Sequence, residues 1–387
     1  MKKKIAILGS TGSIGKSLLK IILRDKNNFE VVLLTANKNY KSLLKQAKIF
    51  KVKNIILTNK KYYNIAKSKN LKSNIKIHNN YDIYHKIFPK KIDYVMSSIV
   101  GLDGLSPTIN IIKYTKKIAI ANKESIICAW NLIQQKLKKY KTKFIPVDSE
   151  HFSIWYALKN NPNKIIDKIF LTASGGSLLN TPISKFKNLN LKKILKHPSW
   201  NMGKKITIDS STLINKVFEI IEAKKIFSLD YKQLNIIIHP QSYVHAIIKF
   251  KDGMIKIIAH DTTMEIPIFN SIYPNSNKII KKNKIDFKKL NNLNFKKIDK
   301  KKFPSIKILK NFPNDNSLYE TALVTANDEF VRLFLNKKIS YDQIIPNIFK
   351  VMKLNNVKKL KKAVPTNISE VINTKDFVQD KINSVYY

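Results

Sequence analysis

The chain has 387 residues, of which 44% are hydrophobic, and this is enough to fill the cores of two or three domains. Its formal net charge of +46 would suit a nucleic-acid partner, but the lysines are spread through nearly every segment instead of forming one basic stripe. We therefore give the charge little functional weight and expect no specific nucleic-acid binding.

Cysteine content and hydropathy indicate the compartment. The single cysteine, Cys128, excludes an internal disulfide and fits a reducing environment. The basic start at 1–4 resembles a signal peptide, but the apolar run behind it stops after four residues at Gly9. No stretch approaches the roughly 18 apolar residues of a transmembrane helix. We expect a soluble, cytoplasmic protein without a membrane partner.

The chain opens with an apolar strand at 4–8, a glycine loop at 9–15 and a helical pattern at 16–23. This context predicts a dinucleotide-binding turn, because glycines let the backbone approach a pyrophosphate and the helix N-terminus adds partial positive charge. Thr11 and Ser13 offer hydroxyl and amide groups to that ligand.

The second strand, at 29–34, indicates which nucleotide is bound. The sequence after it, Thr-Ala-Asn-Lys-Asn at 35–39, carries no acidic residue for the ribose hydroxyl of NAD. Lys38 suits a 2′-phosphate, so NADP is favoured; the alternative is that Lys38 is one more solvated lysine.

More strands are predicted at 53–57, 92–97 and 118–121, separated by helix-length segments. This alternation indicates a doubly wound parallel sheet that extends to about residue 148. Ligands bind at the carboxyl ends of such strands, and Asn122, Lys123 and Glu124 follow one of them. They are candidates for cofactor and substrate contacts, although Asn-Lys-Glu is also an ordinary helix start.

Two acidic residues follow the next buried strand, at 144–147. If the backbone stays extended, Asp148 and Glu150 point to the same side and suit Mg²⁺ or Mn²⁺, with further ligands from elsewhere. The alternative is a helix that begins near His151 and is capped by Asp148 or Ser149.

The middle of the chain contains three further polar segments. A strand at 169–172 ends in Ala-Ser-Gly-Gly-Ser at 173–177, a loop suited to an anion, and the segment 197–203 reads as a lid or as a core turn around Trp200. A capped helix is predicted to start at Ser210, with Ser210, Asn215 and Lys216 available to a phosphate and Glu219 to a cation. The alternative is an amphipathic helix whose polar face is solvated.

The remainder reads as scaffold. Strands are predicted at 236–240, 244–250 and 254–258, the last two joined as a hairpin at 251–253. A Lys- and Asn-rich stretch at 275–300 is typical of a linker, and helical periodicity follows it. Five histidines lack metal-ligand spacing and are interpreted as structural or surface residues: His78, His85, His239, His245 and His260.

Seven motifs then occur in a fixed order: Gly-Ser-Thr-Gly-Ser-Ile-Gly at 9–15, Ala-Asn-Lys-Glu at 121–124, Pro-Val-Asp-Ser-Glu-His at 146–151, Ser-Gly-Gly at 174–176, His-Pro-x-Trp-x-Met-Gly at 197–203, Asp-Ser-x-Thr-x-x-Asn-Lys-x-x-Glu at 209–219 and His-Pro-Gln-Ser at 239–242. Together they resemble the 1-deoxy-D-xylulose 5-phosphate reductoisomerase family. The resemblance extends from the first strand to the C-terminal region.

The resemblance implies an α/β chain with a Rossmann-like NADPH-binding domain at 1–148, an α+β catalytic and dimerisation domain at 149–274, a linker at 275–300 and a C-terminal helical domain at 301–387. It implies that 1-deoxy-D-xylulose 5-phosphate is isomerised and reduced to 2-C-methyl-D-erythritol 4-phosphate in the non-mevalonate isoprenoid pathway. The cofactors implied are NADPH and Mg²⁺ or Mn²⁺, and the assembly implied is a homodimer.

The same resemblance implies roles for individual residues, with catalysis assigned to Lys123, Asp148, Glu150, His197 and Glu219. Metal ligands are Asp148, Glu150 and Glu219. Substrate contacts are Lys123, Ser149, Glu150, Ser174, His197, Ser210, Asn215, Lys216 and Glu219, with Trp200 and Met202 in a mobile flap. The NADPH site is Thr11, Gly12, Ser13, Ile14, Asn37, Lys38, Asn39, Asn122, Glu124 and Gly203.

Some residues depart from the family pattern, namely Asn37, Ala173, Val217 and Glu265, and Glu265 stands where an arginine is usual. Two other classes remain open. Another Rossmann-type NADP-dependent dehydrogenase is one, although a semialdehyde dehydrogenase needs a cysteine nucleophile and Cys128 has no evident activating partner. A basic nucleic-acid-binding protein is the other, although the sequence contains no recognisable binding module.

Overall fold

The computed structural model describes residues 1–70, 74–159, 165–274, 277–280 and 284–386. The chain forms two compact units. The first consists of Met1–Ser125, Leu132–Asp148 and Met264–Lys281, and the second of Ile126–Asn131, Ser149–Thr263 and Lys282–Tyr387. The domain boundaries implied by the family resemblance stay a prediction.

Strands and helices alternate through the first part of the chain. The strands are β1 (Lys3–Leu8), β2 (Phe29–Ala36), β3 (Asn54–Leu57), β4 (Lys76–His78), β5 (Tyr94–Ser97), β6 (Lys117–Ile120), β7 (Lys143–Pro146), β8 (Ile166–Ala173), β9 (Leu234–Ile238), β10 (Val244–Phe250) and β11 (Ile255–Ala259). The helices are α1 (Ser13–Leu23), α2 (Tyr40–Ile49), α3 (Lys60–Ser68), α4 (Tyr84–Ile87), α5 (Leu105–Ile111), α6 (Lys123–Lys139), α7 (Ser149–Leu158), α8 (Leu191–Ile194), α9 (Lys204–Ser211), α10 (Ile214–Phe227), α11 (Glu265–Ile272), α12 (Phe287–Asn291), α13 (Leu318–Leu335), α14 (Ile344–Lys353), α15 (Asn355–Lys359) and α16 (Ile368–Tyr386).

The first unit is built on a seven-stranded sheet in the order β4-β3-β2-β1-β5-β6-β7, and every neighbouring pair is parallel. Residues 5–8 and 94–97 are buried without alternation, as expected for strands covered on both faces. The strand order reverses between β1 and β5. A crevice therefore opens at the ends of these two strands, where open parallel sheets bind ligands. The predicted α/β fold with a doubly wound sheet is confirmed.

The second unit contains a mixed sheet in the order β11-β10-β8-β9. β10 is antiparallel to β8 and β11, whereas β8 and β9 are parallel. The predicted hairpin is present, and Gly253 turns it with a φ of 87°. Helices α7 and α10 share a core with this sheet, in which Ile154, Ile169, Ile220 and Phe250 are buried.

Two local predictions are wrong. The backbone is not extended through Glu150, because α7 begins at Ser149; the helix-start alternative is correct for this stretch. Ser210 does not begin a helix either. It lies in the last turn of α9, and buried Leu213, with a left-handed φ of 57°, separates α9 from α10.

The described residues also include one strand, β4, that the sequence analysis did not predict. Within the proposed linker, residues 275–276 and 281–283 lie outside the described residues, and α12 occupies part of the remainder. Among the residues described, no helix is both long enough and apolar enough to cross a bilayer.

The residues that depart from the family pattern have identifiable surroundings. Ala173 and Val217 are buried apolar residues of the second unit. Glu265 begins α11 in the first unit, where its carboxylate pairs with Arg24, the residue after α1, and lies 3.8 Å from Lys20 Nζ. An acidic residue at position 265 is therefore matched by two cations at the C-terminal end of α1.

Candidate active site

Hydrogen bonds from residues of β2 and α2 fix the conformation of the glycine loop at 9–15. Gly9, with a φ of 82°, donates its amide to Thr35 Oγ1 at 2.9 Å. Ser10 Oγ donates to Gln46 Oε1 at 2.8 Å, and Gln46 Nε2 donates back to the Ser10 carbonyl at 3.0 Å. Sequence reasoning missed Gln46 because nothing in the α2 sequence links it to a loop more than thirty positions earlier.

Helix α1 starts at Ser13, so the positive end of its dipole lies at the end of this loop. A side chain at Gly15 would bring its Cβ within 2.5 Å of Ser10 Cα, which explains why glycine is needed there. The loop therefore offers backbone, not bulky side chains, to a phosphate.

Other predicted cofactor residues lie at the carboxyl ends of β2 and β6. Asn37 and Lys38 are exposed, while Asn39 Oδ1 caps α2 by accepting from Ser42 N at 3.2 Å. Asn122 is buried, and its side chain caps α6 through Ser125 N and donates to the carbonyls of Ile99 and Gly101. Asn122 therefore fixes the 99–101 loop, a structural role that the sequence did not reveal.

Lys123 and Asp148 form an ion pair within the first unit, with 2.8 Å between Nζ and Oδ2. Lys123 begins α6 and is mostly buried, whereas the Asp148 side chain is partly exposed. Asp148 ends the second of the three segments that form this unit and is separated from Glu150 by one residue.

In the second unit, two buried carboxylates share one ammonium group. Lys216 Nζ lies 2.6 Å from Glu150 Oε1 and also pairs with Glu219. Ser149 Oγ donates to the other Glu150 oxygen at 2.6 Å, and Asn215 Nδ2 donates to Glu219. The three side chains are between 1% and 12% exposed, so the interpretation of this helix face as solvated is wrong.

The charges of this cluster follow from burial and pairing. Burial opposes ionisation of Glu150, but the Lys216 ammonium and hydrogen bonds outweigh it and hold the pKa of the carboxyl well below its ordinary value. Burial likewise disfavours the Lys216 ammonium, yet Glu150 and Glu219 raise its pKa. Two carboxylates against one ammonium leave a net negative charge, and oxygen donors of this type suit a hard divalent cation.

His197 connects two predicted phosphate-binding hydroxyls. Its Nε2 lies 3.0 Å from Ser174 Oγ and 3.2 Å from Ser210 Oγ, and its Nδ1 accepts from the amides of Ser199 and Trp200. Since Nδ1 accepts, the neutral ring carries its proton on Nε2. Burial lowers the pKa of His197 to about 4, so it is neutral near pH 7. The structure thus brings together Ser174, His197 and Ser210, three of the residues predicted to contact the substrate.

Two further histidines, His245 and His260, lie beside Trp200. The rings of His245 and His260 stack with 3.7 Å between their centroids, and the Trp200 ring meets His245 edge-on at 6.1 Å. Burial, with the neighbouring His260, lowers the pKa of His245 to about 3. The sequence analysis interprets both histidines as structural or surface residues, and the burial of His245 within β10 and its stacking on His260 agree with a structural role.

His151 is a third histidine that sequence reasoning did not single out. It is fully buried, its Nε2 lies 2.9 Å from the Glu219 carbonyl, and its Nδ1 lies 3.4 Å from Glu222 Oε2. Because a carbonyl only accepts, Nε2 carries a proton here. His151 thus ties the start of α7 to the turn of α10 that bears Glu219.

Family models match most of the chain. The model described as 1-deoxy-D-xylulose 5-phosphate reductoisomerase matches residues 5–130, and two models of C-terminal domains of this enzyme match residues 144–227 and 261–381. A 1-deoxy-D-xylulose 5-phosphate reductoisomerase of Pelagibacter ubique is 57% identical over 385 residues, 99% of each chain. One of Clostridium perfringens is 39% identical over 386 residues, 96% of this chain and 100% of the relative.

Solved structures of reductoisomerases are also similar to this chain. The reductoisomerase of Zymomonas mobilis in complex with NADPH aligns over 100% of this chain and 99% of its own, with a TM-score of 0.87 and 28% identity. A reductoisomerase in complex with NADPH, fosmidomycin and magnesium aligns over 99% and 97% of the two chains, with a TM-score of 0.89 and 29% identity. The family assignment made from the seven motifs is thereby confirmed, and the chain belongs to the 1-deoxy-D-xylulose 5-phosphate reductoisomerase family.

Proposed function

We propose that this chain converts 1-deoxy-D-xylulose 5-phosphate to 2-C-methyl-D-erythritol 4-phosphate with NADPH and a divalent cation. The observation that carries the proposal is the buried cluster in which Glu150 and Glu219 share the Lys216 ammonium. Buried carboxylates in excess of their cations are costly unless they serve a ligand. The reaction is inferred from membership of the family, and the buried carboxylates provide the acidic site that a divalent cation needs.

The residues proposed as metal ligands are Asp148, Glu150 and Glu219. Their carboxylates are the ligand type that Mg²⁺ and Mn²⁺ prefer. When bound, such a cation stabilises negative charge on the oxygens that it contacts. Lys216 partly neutralises the same carboxylates, Ser149 fixes one Glu150 oxygen, and His151 holds the backbone at Glu219.

The residues proposed for the phosphate end of the substrate are Ser174, His197, Ser210, Asn215 and Lys216. Neutral His197 holds its Nε2 proton between two serine hydroxyls, so donors are oriented before a ligand arrives. Lys216 provides a positive charge within the same unit. Ser149 and Lys123 are proposed for the oxygenated carbons, with Trp200 and Met202 in a flap that excludes water.

The residues proposed to bind NADPH are Thr11, Gly12, Ser13, Ile14, Asn37, Lys38, Asn39, Asn122, Glu124 and Gly203. The braced glycine loop and the positive end of α1 suit the pyrophosphate. Exposed Lys38 suits the 2′-phosphate.

We further propose that the chain is a cytoplasmic homodimer. β11 is an edge strand of its sheet. Its residues Ile255 and Ile257 and the preceding Met254 are large apolar residues that are 55%, 51% and 59% exposed. Such an apolar edge is a liability unless it is covered, and a second copy of the chain covers it in this proposal. Light scattering should give the dimer mass for the wild type and the monomer mass for Ile257→Lys.

The activity is tested by following NADPH oxidation with 1-deoxy-D-xylulose 5-phosphate and Mg²⁺ or Mn²⁺. We expect turnover that is abolished by a chelator, restored by added metal and lost in Asp148→Asn. Asp167→Asn is the matched control, since it removes a partly exposed carboxylate that pairs with Lys249 and does not belong to the cluster. A folded wild type that binds NADPH without turning over this substrate would favour another NADP-dependent dehydrogenase.

A further inference from the structure

The turn at 209–213 joins α9 to α10 and carries Ser210, which faces His197. Its last residue, Leu213, is buried and has a φ of 57°, a backbone conformation that residues other than glycine seldom adopt. A turn of this kind needs surrounding contacts to maintain its shape. In this chain the contacts come from the C-terminal segment.

The first contact comes from α13. Asn327 is fully buried, and its Nδ2 donates to Asp209 Oδ1 at 2.9 Å. The other Asp209 oxygen lies 3.2 Å from Lys205 Nζ, which is in turn 2.9 Å from Asp328 Oδ1. Because a buried carboxylate is costly without donors, Asp209 is bound firmly to α13, and Ser210 is the next residue.

The second contact comes from the segment that precedes α13. Ser305 is fully buried, and its Oγ donates to the Thr212 carbonyl at 2.6 Å. Phe303 packs in one apolar cluster with Leu213 and Ala173. Hydrogen bonding and packing from this segment therefore hold Thr212 and Leu213, the two residues that lie between α9 and α10.

The loop at 174–176 confines the turn further. A Cβ atom at Gly176 would lie 2.6 Å from Ser211 Cα and 2.8 Å from the Ser210 carbonyl oxygen. The turn therefore cannot move toward this loop without a collision. A displaced turn would change the 3.2 Å distance between Ser210 Oγ and His197 Nε2.

We propose that Asn327 and Ser305 are positioning residues, which hold Ser210 in place for the phosphate group of the substrate. This inference rests on the proposed function. It assigns the C-terminal segment, interpreted above as scaffold, a part in substrate affinity. Neither residue acts on the substrate itself; each acts through the turn that it binds.

The test uses the full-length variants Asn327→Leu and Ser305→Ala in steady-state kinetics with Mg²⁺. We expect KM for 1-deoxy-D-xylulose 5-phosphate to rise about tenfold in each, the effect of losing one buried hydrogen bond. The Kd of NADPH should change by less than about twofold, because its proposed residues lie mainly in the first unit. Asn347→Leu, which removes another buried asparagine from the C-terminal segment, is the matched control.

Two further measurements separate positioning from general destabilisation. The double variant Asp209→Asn with Asn327→Asp exchanges the two side chains of this hydrogen bond. Its KM should return most of the way from the raised value of Asn327→Leu to that of the wild type. NMR titration of His197 needs no substrate, and in Asn327→Leu its pKa should rise from about 4 toward the ordinary value as the turn loosens. The inference is overturned if Asn327→Leu changes KM and the His197 titration no more than Asn347→Leu does. A wild type with no turnover would refute the proposed function but leave the NMR test intact.

Discussion

Lys216 and Glu150 form an ion pair of 2.6 Å between α10 and α7, with side chains only 5% and 12% exposed. Glu219 is bound to the same ammonium. An isolated ammonium or carboxylate would be unstable at this depth, so the three groups depend on one another. The Lys216 ammonium therefore stabilises the fold, and it is also the group proposed to contact the substrate.

The first prediction concerns Lys216→Met. Removing the ammonium leaves two neighbouring carboxylates buried without it, which should lower the free energy of unfolding by about 3 to 5 kcal/mol. Divalent metal should restore part of that loss, because a cation can take over the neutralisation. The measurement is Tm of variant and wild type in chelator and with added Mg²⁺.

Lys249→Met provides the comparison for this prediction, since Lys249 pairs with Asp167 at the surface. Its Tm should stay close to that of the wild type and should respond to Mg²⁺ as the wild type does. If Mg²⁺ raises the Tm of Lys216→Met no more than that of the wild type, the carboxylates do not form a cation site.

The second prediction concerns the pH dependence that His197 contributes. Burial lowers its pKa to about 4 in the folded chain, compared with about 6.5 when unfolded. As the pH falls, His197 is protonated in the unfolded chain at a higher pH than in the folded chain. Its contribution to stability is therefore complete above about pH 6.5 and is lost progressively as the pH falls toward 4. Replacing His197 by Asn, whose Oδ1 can accept from the amides of Ser199 and Trp200, should therefore flatten the pH profile in this window.

Urea unfolding at about pH 7, 6 and 5 measures this difference. The stability gap between wild type and His197→Asn should shift in favour of the variant as the pH falls. A gap that is constant with pH would mean that His197 titrates normally in the folded protein.

Much of this structure could be predicted from local sequence. The strands of the first sheet are continuous apolar runs ended by glycine or polar residues, and the glycine loop lies between a strand and a helix. Both features depend on neighbours in the chain. The left-handed Leu213 could not be predicted, because its conformation depends on Phe303 and Ser305, about ninety positions away.

The same distinction applies to the site. Residue type and family motifs predict Asp148, Glu150 and Glu219 as metal ligands, and the structure places one carboxylate oxygen of each within 4.8 Å of the others. The contacts of His245, Gln46 and Asn327 could not be predicted, since each has a partner that is distant in the sequence: His260, Ser10 and Asp209. Burial of Lys216 and Glu219 was also missed, because alternating polar and apolar residues on α10 are equally typical of a solvated helix face.

The third prediction concerns Gly176→Ala. With a φ of 67° and the backbone of Ser211 within 2.6 Å of an added Cβ, alanine at this position combines backbone strain with a collision. Together these should lower the free energy of unfolding by about 2 to 5 kcal/mol and raise KM for the sugar phosphate. Gly203→Ala is the stability control, because its φ is −65° and no atom lies within 4 Å of the added Cβ. Equal stability of the two variants would contradict the geometry of the 174–176 loop.

The fourth prediction concerns Glu265, which stands where the sequence analysis expects an arginine. Its carboxylate pairs with Arg24 and lies near Lys20, so Glu265→Arg should place three cations together and lower the free energy of unfolding by about 1 kcal/mol. Arg24→Glu in the same protein should recover most of this loss, whereas Arg24→Glu alone should destabilise by repulsion from Glu265. Urea unfolding of the four proteins gives the coupling energy, and the effect should shrink at high salt. Independent, additive effects would show that the pairing of Arg24 with Glu265 contributes no stability, and that the acidic residue at 265 has another cause.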